Sequence, residues 1–145
     1  RTWIWGAALR MIEQHAINGV GARGFRHAFA EFARDDDPYL KMQPPESPMH
    51  SHQLFLEILA ETGLIGLAGL LIMLTALIRA YQRATQSARV LLTAPAAAIV
   101  AAYFPLNTHL AIYSSYWSQI VWFVLSLYCA LWTGKSILAN NPAKA

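Results

Sequence analysis

The longest charge-free run in this chain extends for 45 residues, from Val90 to Gly134, without a single Asp, Glu, Lys or Arg. One helix of that length would be far too long for a bilayer hydrocarbon core of roughly 30 Å. Turn-forming residues interrupt the run where the chain reads PLNTHLAIYSSYW. The run therefore predicts two membrane-spanning helices, at about residues 90–106 and 117–134.

A third apolar segment, TGLIGLAGLLIMLTALI, covers residues 62–78. It lies at the short end of the spanning range, and the preceding LFLEILAE extends it. Small residues on one helical face let a second helix approach closely, and they recur here at every third position, in Gly63, Gly66 and Gly69. We predict an all-α, polytopic membrane chain whose first span covers about residues 62–79.

The composition favours the membrane over nucleic acid as the partner of this basic chain. Hydrophobic residues make up 56% of the sequence and charged residues 13%, with a net charge of +3. All eight acidic residues lie before residue 62, and the basic residues after it flank apolar runs, as topology-setting charges do. The lone Cys129 excludes a disulfide framework and a cysteine-based metal site.

The positive charges also predict an orientation. Basic residues concentrate in cytoplasmic loops, so loop 80–89 and the tail from Lys135 are predicted to be cytoplasmic. Residues 1–61 then form an external segment on the opposite side of the membrane, and residues 62–145 form the membrane part. The external segment nevertheless contains five arginines and one lysine, which implies that these charges serve a purpose there. Because the chain begins at Arg1 rather than at methionine, we expect further transmembrane helices upstream in a longer protein.

Two short helices are expected in the external segment. Residues 2–17 have apolar residues at helical spacing, and the sequence NGVGARG then interrupts the helix. FRHAFAEFAR predicts a second helix. The predicted apolar stripes are Trp5, Leu9, Ile12 and Ala16 in the first helix, and Phe25, Phe29 and Phe32 in the second.

A histidine precedes the first apolar run. If a helix begins near Ser51, His52 lies in its first turn, where the helix macrodipole favours the neutral imidazole. A neutral imidazole with a free nitrogen is what a general base requires. The same helix would carry a polar stripe of Gln53, Glu57 and Glu61. On physical grounds alone, solvated histidines at a polar helix start are the simpler interpretation.

The ordered motifs of the chain resemble those of the O-antigen ligase superfamily, which contains O-antigen ligases, O-antigen polymerases and bacterial protein O-oligosaccharyltransferases. The family pattern has a histidine usually followed by asparagine, then Glu-x-Gly and a glycine-rich membrane helix. Here His52 is followed by Gln53, which keeps an amide, and the later motif is Glu61-Thr62-Gly63. R-x-x-x-W at Arg1 and NGVGARGF upstream also look like family landmarks, and PLNTHLAIYSSYW resembles the last external turn of the ligase branch.

The resemblance implies an inverting glycosyltransferase that needs no metal and no cofactor, in the inner membrane of a bacterium with its active site facing the periplasm. Its donor would be an oligosaccharide linked to undecaprenyl diphosphate, and its acceptor a hydroxyl of lipid A–core, of another glycan or of a protein. By motif match, His52 would be the general base and Arg1 would bind the donor diphosphate. Arg23 and Arg26, beside the glycine-rich turn, are further candidates for binding the diphosphate.

Other polar residues have less specific interpretations. Gln53, Glu57, Glu61 and His109 are predicted to orient the base or to bind sugar, or else to be structural. The D-x-D pattern in residues 35–37 lies in a proline-rich loop, and we interpret it as solvated acids rather than a metal site. His50 and His52, with His15 or His27, lack a carboxylate or cysteine at metal-site spacing. No metal site is therefore predicted.

Alternative functions remain open at this point. The same base would serve a polymerase or a protein O-oligosaccharyltransferase, with a different acceptor. A non-catalytic transport or scaffold module, whose external segment binds lipid or a partner, is the alternative outside enzymes. As an isolated chain without its upstream helices, the protein is expected to be inactive.

Overall fold

A computed structural model describes residues 1–42, 48–104 and 113–140, with side chains up to residue 134. Within these ranges, the regular structure is helical throughout and includes no strand, which confirms the all-α prediction. A short 3₁₀ turn covers Pro38–Lys41. The helices are α1 (Thr2–Gln14), α2 (Phe25–Phe32), α3 (Leu54–Arg83), α4 (Gln86–Ala102) and α5 (Ser115–Asn140).

The external segment has a small hydrophobic core of its own. Helices α1 and α2 pack against each other and against the first turns of α3. The three phenylalanines of α2 are buried on one face, as their spacing predicts. The buried members of this core are Ile4, Ala7, Ala8, Met11, Phe25, Phe29, Phe32 and Ala60.

The apolar stripe of Trp5, Leu9, Ile12 and Ala16 is not the buried face of α1. Trp5 is 36% exposed and Leu9 is 52% exposed, while the neighbouring face, which includes Ala7 and Ala8, is buried. Both stripes are apolar at helical spacing, so periodicity alone cannot choose between them. The two alanines share the core with the bulky rings of α2, and small side chains allow the close approach that such packing requires.

Among the described residues, no second helix packs closely against the glycine stripe of α3. At Gly63 the backbone leaves helical geometry, with φ 62° and ψ −159°, and a side chain there would collide with the backbone of Ile17 and Asn18. Around Gly69 there is open space. Gly63 therefore marks a break in α3, and the chain that follows α1 packs against this break.

Helix α3 is long and apolar enough to cross a membrane. It is the one helix in the described part of the chain that meets this criterion; α4 is apolar but shorter, with 17 residues. The prediction of three spans therefore remains a prediction. Residues flanking the predicted spans are also helical, since α3 continues to Arg83 and α4 begins at Gln86.

Helices α3, α4 and α5 share a second core. Their buried residues include Leu92 of α4 and Tyr128 of α5. The Tyr128 hydroxyl donates a hydrogen bond to the Leu77 carbonyl of α3 at 2.9 Å, which joins α5 to α3. This core lies along the second half of α3, whereas the external segment packs on the first half.

Candidate functional site

The break at Gly63 is filled by the chain that follows α1. In an uninterrupted helix, the carbonyls of residues 60 and 61 would accept hydrogen bonds from the N–H groups of residues 64 and 65. Here all four groups bond instead to residues 16–21, which we call the glycine turn. The bonds are Val20 N–H to Ala60 O (2.8 Å), Gly21 N–H to Glu61 O (2.8 Å), Leu64 N–H to Ala16 O (2.8 Å) and Ile65 N–H to Ile17 O (3.2 Å). The break thus leaves no orphaned backbone group at these positions.

Glycine is required where the two segments cross. Gly19 has φ +66°, and a methyl group at its Cα would lie 2.3 Å from the carbonyl carbon of Glu61. Gly63 has φ +62°, and a methyl group there would lie 2.3 Å from the carbonyl oxygen of Ile17. Each glycine therefore permits both a left-handed backbone and a close backbone contact.

The side chain of Glu61 binds the residues that follow the glycine turn. Its Oε2 accepts a hydrogen bond from the backbone N–H of Arg23 at 2.5 Å, and its carboxylate also accepts one from the N–H of Phe25. Phe25 is the first residue of α2, so the carboxylate lies at the N-terminus of that helix. Glu57, one turn earlier in α3, is buried as well, with 1% of its surface exposed. The predicted polar stripe of α3 is thus turned into the protein.

His52 lies before α3 rather than in its first turn, so the predicted helix start near Ser51 is wrong. The helix begins at Leu54, and Gln53 is the N-cap, whose side-chain oxygen accepts a hydrogen bond from the Leu56 N–H at 2.6 Å. The backbone of His52 is left-handed, with φ 55°, which is uncommon outside glycine. This conformation redirects the chain just ahead of the helix.

His50 and His52 form a histidine pair. Their ring centroids are 4.1 Å apart and the ring planes are tilted by 52°. The pKa of His50 is lowered to about 4, first because the ring is removed from water and then because His52 and Arg26 place positive charge nearby. His50 is therefore neutral at physiological pH. The sequence alone predicts a solvated His50 and gives no indication of this ring contact.

Arg26 is the arginine whose charge contributes to the lowered pKa of His50. It is partly buried in α2, and its Nε is buried without a hydrogen-bond partner among the described residues. Arg23 is exposed, and it is held through its backbone N–H by Glu61. An arginine with a buried, unused Nε donor near the neutral imidazole of His50 is an arrangement suited to an anionic ligand.

Arg1 is attached to the site through α1. It is exposed and is the N-cap of the helix, one turn before Trp5. The Trp5 indole N–H donates a hydrogen bond to the carbonyl of Ser51 at 3.0 Å. Residues four apart lie on the same face of a helix, so Arg1 is on the same side of α1 as Trp5. That side faces the loop that carries the histidine pair.

The remaining predicted positions lie apart from this cluster. His109 is outside the described residues. Asp36 pairs with Arg34 at the surface, and Asp37 accepts a hydrogen bond from the Tyr39 N–H to cap the 3₁₀ turn. The described ranges contain no group of three potential metal ligands. Thr62, at the break, is within 3.0 Å of the Tyr113 hydroxyl, so the chain just before α5 also reaches this end of α3.

Comparison with known proteins gives one match. A family model described as O-antigen ligase matches residues 1–71. These residues include α1, the glycine turn, α2, the histidine pair and α3 to just beyond its break. No curated protein matches the chain, and no solved structure matches it.

Proposed function

We propose that the chain, whose residues 1–71 match the O-antigen ligase family model, is part of an inverting membrane glycosyltransferase of the ligase or polymerase type. Its donor is a glycan on undecaprenyl diphosphate, and its acceptor is a hydroxyl group. The favoured reaction is the transfer of O-antigen to lipid A–core in lipopolysaccharide assembly. The protein resides in the bacterial inner membrane, and residues 1–61 face the periplasm.

One observation carries this proposal: the family-matched residues are those that hold two imidazoles and a guanidinium together. His50 and His52 are in ring contact, and Arg26 lies close enough to lower the pKa of His50. This arrangement supports the assignment of a base and a phosphate-binding group to the same part of the chain. A transport or scaffold module has no need for such a pairing.

His52 acts as the general base. A neutral imidazole nitrogen takes the proton of the acceptor hydroxyl while the hydroxyl oxygen attacks the anomeric carbon of the donor sugar. The bond between that carbon and the diphosphate oxygen breaks, and undecaprenyl diphosphate leaves with the bonding electrons. Attack from the face opposite the leaving group inverts the anomeric centre. A positioned base contributes roughly 10²–10⁴-fold to such a step.

The arginines stabilise the leaving group. Negative charge grows on the diphosphate as the glycosidic bond breaks, and guanidinium groups are always protonated and match phosphate oxygens. Arg26 lies beside the histidine pair, Arg23 beside the glycine turn, and Arg1 at the start of α1. Arginines then take the role that a divalent cation takes elsewhere, so transfer should persist in EDTA. A need for these charges also explains why basic residues are kept in an external segment, against the positive-inside tendency.

The membrane part anchors this site. Helix α3 enters the bilayer beyond its break, and α4 and α5 provide two further spans, with the connection around Ala84 in the cytoplasm. Upstream transmembrane helices of the same protein, together with membrane lipids, complete the cavity.

The test uses the full-length protein in a null strain and then in reconstituted membranes with the lipid-linked glycan. His52→Ala is expected to reduce transfer by at least about 10²-fold at unchanged protein level. His27→Ala, which alters an exposed histidine of α2, is the matched control and should transfer normally. Normal transfer by a well-expressed His52→Ala protein would contradict the base assignment.

The product that disappears in the null strain identifies the branch. Loss of polymer-capped lipopolysaccharide, with polymer still made on the lipid carrier, supports a ligase. Shortened chains indicate a polymerase, and an unglycosylated pilin or other protein indicates a protein O-oligosaccharyltransferase. An intact set of all three products would contradict the enzyme proposal and favour a transport or scaffold role.

A further inference from the structure

Glu61 is a buried carboxylate in the first half of α3. It is 2% exposed, and its side chain accepts backbone hydrogen bonds from Arg23 and Phe25. Burial raises the pKa of Glu61, whereas the two backbone donors, the nearby arginines and the N-terminus of α2, which begins at Phe25, act in the opposite direction and favour the carboxylate. The carboxylate of Glu61 is therefore hydrogen-bonded to the backbone segment that carries Arg23 and Arg26.

The backbone of Arg23 is in a conformation that needs support. Its φ is +60°, a left-handed value that is strained for a residue with a side chain. Such conformations persist where the surroundings fix them. The 2.5 Å bond from the Arg23 N–H to Glu61 does so, and it thereby also sets the direction in which the Arg23 side chain leaves the chain.

The main chain of Glu61 holds the same segment a second time. Its carbonyl accepts the hydrogen bond from the Gly21 N–H at 2.8 Å. Gly19 packs on the Glu61 backbone so closely that a side chain there would not fit. Side chain and main chain of one residue thus hold the chain on both sides of Ala22, just before α2 and Arg26.

We propose that Glu61 is a positioning residue that sets the affinity for the donor by fixing Arg23 and Arg26 relative to the histidine pair. The inference rests on the proposed function of those arginines. Helix α3 acts as the spacer: it begins just after His52, and Glu61 lies seven residues into it, a rise of about 10 Å. The proposed base, His52, lies just before the start of this spacer. The segment that carries Arg23 is hydrogen-bonded to its other end, at Glu61.

Steady-state kinetics of the full-length Glu61→Gln protein with the lipid-linked donor provide the test. Glutamine keeps the size and one acceptor but loses the charge, so we expect an apparent donor KM raised about tenfold and a kcat within about twofold of wild type. Glu31→Gln makes the same chemical change at an exposed position of α2 and should leave both constants unaltered. A fall in kcat alone, or no change, overturns the proposal.

A double variant separates positioning from general destabilisation. Arg23→Asn removes the guanidinium while retaining a residue that tolerates the left-handed backbone. If Glu61 acts partly through the Arg23 side chain, the KM of the double variant is lower than the product of the two single effects predicts. Fully multiplicative effects overturn this part of the proposal. If Glu61→Gln fails to accumulate, it is repeated with Arg23→Gly, which relieves the strain; failure there too assigns Glu61 to folding and overturns its role in donor affinity.

Hydrogen exchange distinguishes this inference from the proposed function. In the full-length protein the amides of Arg23 and Phe25 should be protected, and Glu61→Gln should increase their exchange at least about tenfold. Unchanged exchange rejects the positioning role whatever the activity. If exchange increases in Glu61→Gln but the wild-type full-length protein transfers no lipid-linked glycan, the structural role of Glu61 stands. The proposed donor is then rejected, and with it this proposal.

Discussion

The indole N–H of Trp5 donates a hydrogen bond to the backbone carbonyl of Ser51 at 3.0 Å, across 46 positions of the chain. Ser51 precedes His52, and its own hydroxyl donates to the carbonyl of Gln53 at 2.9 Å. Trp5 thus ties α1 to the loop that carries the histidine pair. Of the two R-x-x-x-W landmark residues, the tryptophan fixes the loop while Arg1 lies one turn away at the start of the same helix.

Trp5→Phe is expected to reduce the free energy of unfolding by about 1 kcal/mol, because the Ser51 carbonyl loses its donor while the ring remains. Transfer by the full-length protein should fall modestly, through less accurate placement of His52. Unfolding of the purified protein in detergent, followed by tryptophan-independent far-UV circular dichroism, measures the first effect. Trp3→Phe, in the same helix, is the control, since none of the described hydrogen bonds involves its indole. Equal stability of the two variants would contradict the anchoring role.

Gly63→Ala is expected to destabilise the protein by about 3 kcal/mol or more. The substitution places a side chain at φ +62° and within 2.3 Å of the Ile17 carbonyl oxygen. The break would have to close or the glycine turn would have to leave, and either change breaks backbone hydrogen bonds. Gly69→Ala, six residues further along the same helix with open space around it, should be neutral or slightly stabilising. Thermal unfolding of both variants, with membrane yield as a second readout, makes the comparison; an equally stable Gly63→Ala protein would mean that α3 is not broken.

The helices and the phenylalanine core could be predicted from the sequence because both follow from local periodicity. The buried face of α1 could not be predicted, because two apolar stripes compete. The choice between them depends on which side chains of α2 pack against α1. The break at Gly63 was hidden for a different reason. The apolar run continues through it, and the bonds that make it possible come from the glycine turn, more than forty positions earlier.

The residues of the candidate site can be named from the sequence, but their pairing cannot. His52 is indicated by a motif and Arg26 by its position beside the glycine-rich turn, whereas the ring contact with His50 depends on the left-handed backbone of His52. A single dihedral angle of that kind has no signature in the side-chain pattern. The hydrogen bonds of Glu61 could not be predicted either, because its partners are backbone N–H groups, which every residue near a helix start can offer.

The stability of the protein should depend on pH through His50. Its pKa is lowered to about 4 in the folded protein, against 6.5 in the unfolded chain. As pH falls below 6.5, the unfolded chain binds a proton that the folded protein does not, so stability is lost between about pH 6.5 and 4. His50→Gln should remove this pH-dependent loss of stability, which amounts to about 1 kcal/mol at pH 5 after allowance for solvent screening. The difference in melting temperature between pH 7.5 and 5 should therefore be smaller in His50→Gln than in wild type, and unaltered in the exposed-site control His27→Gln; equal differences in all three proteins would contradict the burial of His50.

Gln53 stands where the family pattern usually has asparagine, and its role as N-cap of α3 explains why an amide is retained. Its side-chain oxygen accepts a hydrogen bond from the Leu56 N–H, and its backbone is extended, with φ −155° and ψ 124°, as an N-cap requires. Asparagine is among the best N-cap residues, so Gln53→Asn should be at least as stable as wild type and fully active. Gln53→Leu removes the cap and should lose about 1 kcal/mol of stability. Because the cap fixes where α3 begins, transfer by Gln53→Leu should also decrease, through displacement of His52. Thermal unfolding and glycan transfer of the two variants test both statements, and a Gln53→Leu protein that matches Gln53→Asn in both would show that the amide is retained for some reason other than capping.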